Sequence, residues 1–211
     1  MNNRRKLLFA LGATALASPL SALAQPTTKV WRVGYLQSSA RPASLESDIQ
    51  TGAFLAGMRD LGYTEGKNLM LEWRFSEGRS ELLPVFAAEL VRLQVDVIVT
   101  ASTPATIAAQ KATTTIPIVM TNTGDPVGTG LVKSLAHPGG NITGTTSIAV
   151  DLIPKLLEML RSMAPRLSRV AVLVNPDNSF HAAALKSVQD AARRTGTTIL
   201  SINARTPQEI E

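Results

Sequence analysis

The chain has no cysteine among its 211 residues. That absence removes disulfides, thiolate metal sites, cysteine nucleophiles and a lipidated N-terminal cysteine together. Histidine is scarce as well: His137 and His181 lie far apart with no i+4 partner, which argues against a metal triad. Aromatic residues make up only 4%, and no run of Lys and Arg marks out a basic face. Stacking platforms and a phosphate-tracking stripe for nucleic acid are therefore missing. No G-x-S-x-G elbow occurs, and no glycine stands directly before Lys-Ser or Lys-Thr. These two gaps exclude the serine-hydrolase elbow and the Walker A loop.

A membrane-spanning run is missing too. The apolar stretch from Leu7 to Ala17 is shorter than the roughly 20 residues a span needs, and Pro19 prevents its extension. Its flanks have the layout of a secretory signal: Arg4, Arg5 and Lys6 before it, and Ala22-Leu23-Ala24 as an A-x-A site after it. This predicts a signal peptide over residues 1–24, cleavage after Ala24 and a periplasmic location. The Arg4-Arg5 pair ahead of Leu7, Leu8 and Phe9 leaves the general and twin-arginine routes both open. The formal charge of +5 shrinks once those three basic residues are set aside, leaving 18 Lys and Arg against 16 acids. With 45% hydrophobic and 18% charged residues, the chain suits a globular, core-forming protein.

What is present is a regular alternation. "VWRVGYL" (30–36), "NLMLEWRF" (68–75), "VDVIVT" (95–100) and "IPIVM" (116–120) read as strands, the second nearer a sheet edge because it alternates. Between them fall helical patterns at about 44–61, with Phe54, Met58 and Leu61 on a stripe, at about 80–93, with Leu82, Phe86, Leu90 and Leu93, and at 103–112. "HPGGNITGT" (137–145) reads as Pro/Gly punctuation. The rhythm then resumes: a helix carrying Ile153, Leu156, Leu157 and Leu160, the strand "RVAVLVN" (169–175), a helix at about 179–194 and the strand "TTILSIN" (197–203). Thr206 and Pro207 look like the start of another helix. Such spacing predicts βαβ units and parallel sheets covered on both sides.

Two stretches invite a functional reading. In "TGDPVGTGLVK" (123–133), Gly128 and Gly130 begin G-x-G-x-x-G, but Lys133 fills the third position and the segment follows a fourth strand, not a first. A tight strand-to-helix turn, with Asp125 capping a helix from Pro126, competes with a nucleotide loop and fits better. In "ASTPAT" (101–106), Ser102, Thr103 and Pro104 open a helix after a strand. Free backbone N–H groups and hydroxyls there suit an anion, although a well-capped helix looks the same. Gln37-Ser38-Ser39, Ser102-Thr103 and Asn122 to Asp125 all follow strands, at the sheet edge where α/β folds gather ligands.

Several blocks together resemble one family. "GMRDLGYTEGKNLMLEWRFSEG" (57–78), "LPVFAAELVRLQVDVIVTASTPAT" (83–106), "TTTIPIVMTNTGDPVGTGLVKSLAHPGGNITG" (113–144) and "LSRVAVLVNPDN" (167–178) look like ABC-transporter substrate-binding proteins of the tryptophan/tyrosine type. The resemblance implies a type I periplasmic-binding fold: a complete first Rossmann-like α/β lobe over 25–143 and an incomplete second α/β lobe over 144–211. "PGGNITG" would be the first crossing between lobes. It also implies a chain that continues past residue 211 to finish the second lobe.

The resulting expectation is a monomeric, non-enzymatic binder of a small solute, an amino acid or similar, held between lobes and delivered to a membrane permease. No cofactor and no nucleic acid is expected. Ser102 and Thr103 would hold a carboxylate, Asp125 the amino group, Gln37 and Ser38 the near side, and Asn175 and Asp177 the second-lobe side. An exported α/β enzyme or nucleotide-binding domain, or a nonfunctional remnant, is the competing expectation.

Overall fold

The computed structural model describes residues 29–147, 149–205 and 209–210. The expected signal peptide and the helix start at Thr206 and Pro207 lie outside the described residues. β1 (Trp31–Gln37), β2 (Leu69–Phe75), β3 (Val97–Thr100), β4 (Ile118–Gly124) and β5 (Ile142–Ser147) form one sheet in the order β2-β1-β3-β4-β5. Every neighbouring pair is parallel. The order reverses between β1 and β3, the point at which doubly wound sheets open a ligand crevice at their carboxyl ends.

Period-2 alternation sends side chains to both faces of this sheet. Leu36, Ile98, Ile118 and Met120 bury one face under α2 (Leu83–Arg92) and α3 (Thr103–Ala112). Val33, Tyr35, Leu71 and Val99 form the other face, packed by Phe54, Leu55 and Met58 of α1 (Ile49–Asp60). Gly34 lets α2 approach, because a Cβ there would lie 2.9 Å from the Leu90 methyls. β2 is an edge strand, as its alternation predicts, and Arg74 on it pairs with Glu89 of α2 at 2.8 Å.

Three local expectations shift. α1 starts at Ile49 because the Asp48 carboxylate accepts from Gln50 N and Thr51 N at 3.1 and 2.8 Å, and Leu61 falls outside the helix, 75% exposed. Ser80–Leu82 forms a 3₁₀ turn, whose three-residue period resets the phase, so α2 buries Leu83, Ala87 and Leu90. The Pro/Gly punctuation leads straight into a strand: β5 pairs with β4, and Gly144, at φ 134°, lies against the Met120 backbone where a Cβ would collide. Residues 143 and 144 thus fall inside β5.

The second unit has the parallel pair β6 (Arg169–Val174) and β7 (Thr198–Asn203) with α4 (Ala149–Met163) and α5 (Ser179–Thr195). Leu157, Val188, Ala191 and Ala192 are its buried core, and Leu156 is largely exposed. Pro154 lacks an N–H, which strips the Val150 carbonyl of its helical donor. The Ser187 hydroxyl of α5 donates to that carbonyl at 3.3 Å, tying the two helices together.

Candidate functional site

The site begins where β3 ends. After Thr100 the chain stays extended through Ser102, whose hydroxyl accepts from Ala105 N at 3.3 Å and caps α3. The Thr103 hydroxyl accepts from Gly124 N at 3.0 Å, which fastens the end of β4 to the start of α3. Beneath them lies a buried chain of hydroxyls: Thr100 to Thr106 at 2.7 Å, Thr106 to Thr123 at 2.9 Å, and Thr106 donating to the Ser102 carbonyl at 2.9 Å. The β4–β5 register slips between Met120 and Thr123, and Asn122 within the slip adopts a positive φ of 48°.

Across from this edge stands the start of α5. The Asn178 side chain accepts from Phe180 N at 3.1 Å and caps the helix. His181 Nδ1 accepts from Asn175 N at 2.8 Å. A nitrogen that accepts carries no proton, so the neutral ring bears its hydrogen on Nε2, an assignment made by the hydrogen-bond network. Burial pushes the imidazole below its ordinary pKa, which favours the same neutral form. Ser102, Thr103, Asn122, Gly124, Ser147, Ala149, Asn178, Phe180 and His181 line a cleft of about 240 Å³, with no formally charged side chain among them. Among the described residues no group of three His, Asp or Glu could hold a metal ion.

This sheet order is that of a known group. The sequence profile of the ABC transporter substrate binding protein family covers residues 43–211. The chain belongs to that family. A curated relative, the tyrosine-binding protein of Clostridioides difficile (strain R20291), is 31% identical over 158 residues, which is 74% of this chain and 45% of that protein. A conserved domain protein of Vibrio cholerae superposes with a TM-score of 0.73 at 31% identity, over 84% of this chain and 58% of that one. A Streptococcus pneumonia protein solved in complex with L-Trp gives the same TM-score, 0.73, at 24% identity, over 86% of this chain and 60% of its own. That last likeness concerns the fold alone. The chain therefore spans less than half the length of the curated relative, and its fold is α/β of the type I periplasmic-binding kind, with a five-stranded first lobe and a two-stranded part of a second.

Of the residues singled out in the sequence, Ser102 and Thr103 meet in the cleft, and Asn122 joins them from the neighbouring strand end. Gln37 and Ser38 do not line it. The Gln37 amide donates to Gln50 Oε1 at 3.1 Å, and its own Oε1 is buried without a donor among the described residues. The Ser38 carbonyl accepts from Gly78 N at 2.8 Å. Asn175 and Asp177 stand behind the cleft wall: Asn175 Oδ1 accepts from Asp177 N at 2.9 Å, and Asp177 pairs with Arg205 at 3.6 Å.

Asp125 turns away from the cleft. Its carboxylate accepts from Gly128 N at 2.8 Å, and it lines an adjoining depression with Leu135 and Asp151 that meets the cleft at Ser147. No helix starts at Pro126, because the positive φ of Asp125 (41°) and Gly130 (74°) fold this stretch into successive turns. Sequence reasoning missed Ser147 and Ala149 and, from the start of α5, Asn178, Phe180 and His181. The signal of the last three was present: "NPDNSFH" (175–181) repeats the strand-end, cap and helix order credited to "TASTPAT" (100–106).

Proposed function

We propose that the chain is the solute-binding component of an ABC importer, exported to the periplasm, and that it binds without catalysing a reaction. It holds a small amino-acid-like solute in the cleft and passes it to a membrane permease. Family membership supports the class, and the tyrosine-binding relative supports an aromatic amino acid as the solute. The observation that carries the reading is the pairing of unlike walls. Ser102, Thr103 and the first N–H groups of α3 offer donors at a helix N-terminus, which suits a carboxylate. Phe180 opposite offers a ring face to the solute's apolar part. The ammonium group meets neutral oxygens of Asn122 and Asn178 there, since the wall supplies no carboxylate.

The test is a thermal-shift and calorimetric screen of the purified protein against the L-amino acids, with nucleotides and sugars as controls. Saturable stabilisation by aromatic L-amino acids without turnover is expected; a solute at a hundredfold its Kd stabilises by about 2.7 kcal/mol. A response to nucleotides only, turnover of any added compound, or silence toward every amino acid overturns the reading.

A further inference from the structure

We propose that His181 is the second lobe's polar contact to the solute, donating its Nε2 hydrogen to a carboxylate that Ser102 and Thr103 grip from the opposite wall. The inference rests on the binding reading above and adds to it a bridged carboxylate and a specificity-determining residue. Its basis is the tautomer. Asn175 N–H occupies Nδ1 at 2.8 Å, so Nε2–H is the one polar handle His181 can offer the cleft. Among the described residues the ring's one side-chain hydrogen bond is that at Nδ1.

The loop before α5 is built to hold the ring in place. Asn175 Oδ1 binds Asp177 N at 2.9 Å, the Asn178 carbonyl accepts from His181 N at 2.9 Å, and Asn178 Oδ1 binds Phe180 N at 3.1 Å. Phe180 packs edge-on against the imidazole with centroids 5.9 Å apart. A hydrogen-bond donor fixed in this way selects for an acceptor on the solute, and donors also stand on the facing wall. A carboxylate satisfies both walls, one oxygen to each, whereas an amide returns one N–H where an acceptor is needed. Closing the lobes and reading the carboxylate become one event.

The experiment compares His181→Asn with His181→Gln, using L-tyrosine, L-tryptophan and their amides as probes in calorimetry. Asn sets an oxygen near the Nδ1 position and keeps the Asn175 contact without reaching the cleft. Gln places an amide donor near Nε2 and abandons Asn175. His181→Asn should fold with wild-type Tm and lose affinity about tenfold or more, the worth of one hydrogen bond to a charged group. His181→Gln should stay within about threefold of wild type, a loss below the worth of that bond. The wild type should bind the amides at least about tenfold more weakly than the acids. Nitrogen NMR of the labelled wild type should find the proton on Nε2, a readout that needs no variant to fold. Unchanged affinity in His181→Asn, equal losses in both variants, amides bound as well as acids, or an Nδ1–H tautomer overturns the inference alone. A wild type that binds no amino acid overturns the binding reading and this inference with it.

Discussion

Phe180, the second residue of α5, lies so close to Gly124, the last residue of β4, that a Cβ at position 124 would overlap its ring. The two residues belong to different α/β units, so the approach of the lobes at this point depends on a missing methyl group. Gly124→Ala should prop the walls apart. Overpacking of this kind costs about 1–3 kcal/mol, which in binding terms is a loss of affinity of about tenfold. Calorimetry on Gly124→Ala and on Gly124→Ala/Phe180→Ala checks it: the second change removes the overlap and should recover Tm but not affinity.

Thr106 is the hub of the buried hydroxyl chain, touching Thr100, Thr123 and the Ser102 carbonyl. Thr106→Val keeps the shape and deletes the hydroxyl. Leaving its neighbours without that partner should destabilise the protein by about 1–3 kcal/mol, read as a lower midpoint in urea with an unchanged slope. Affinity should fall as well, because the Ser102 turn loses its support from below.

Asp125→Asn should behave as a change in a turn and not in a binding site. Asn retains the oxygen that accepts from Gly128 N, and the residue lines the depression beyond Ser147, not the cleft itself. Affinity for L-tyrosine should stay within about twofold of wild type, since neither binding wall loses a hydrogen bond. A loss of tenfold or more, the worth of a bond to a charged group, would return Asp125 to the pocket.

Acidification should weaken the protein through His181. Its folded pKa lies below the ordinary 6.5 through burial, so the unfolded chain binds the extra proton first. The stability contribution is complete above about pH 6.5 and is lost as pH falls through the folded pKa. Protonation also sets an Nδ1–H against Asn175 N–H. The surrounding charges do not compensate: the cleft wall carries none, and Asp177, on the loop into α5, is paired with Arg205 beyond β7. Thermal unfolding of wild type and His181→Gln between pH 8 and pH 5 checks the sign; the slope below about pH 6.5 should shrink in the variant.

The sequence carried most of the first lobe because its strands are β-branched runs with few alternatives, and "VIVT" and "IPIVM" left little choice of structure. β5 was hidden because "NITGTTS" has the composition of a loop, and its strand character comes from pairing with β4. The start of α1 was ambiguous for a related reason. Ser44 and Asp48 are both good caps: the Ser44 hydroxyl accepts from Ser47 N in the turn before, and the Asp48 carboxylate reaches the N–H groups of α1 itself. Ser102 and Thr103 were legible since a cap after a strand announces itself. Phe180 and His181 were harder to read: "NPDNSFH" carries the same cap order, but an aromatic and a histidine in a first helical turn look like core until the fold shows which wall they face.

The threonine hydroxyls at the base of the cleft also have a direction. Thr106 owns a single hydrogen, and at 2.9 Å it goes to the Ser102 carbonyl. With Thr106 donating there, Thr100 and Thr123 direct their hydrogens to the Thr106 oxygen, at 2.7 and 2.9 Å, the nearer acceptor for Thr123 than the Thr121 carbonyl at 3.4 Å. The result is a one-way circuit: two hydroxyls polarise a third, which becomes a stronger donor than an isolated alcohol. Its output falls on the peptide group that joins Ser102 to Thr103. A donor on that carbonyl draws electron density from the attached amide and makes the Thr103 N–H more acidic, at the helix end where an anion would rest. The core of the first lobe thereby sets the electrical character of the cleft's edge.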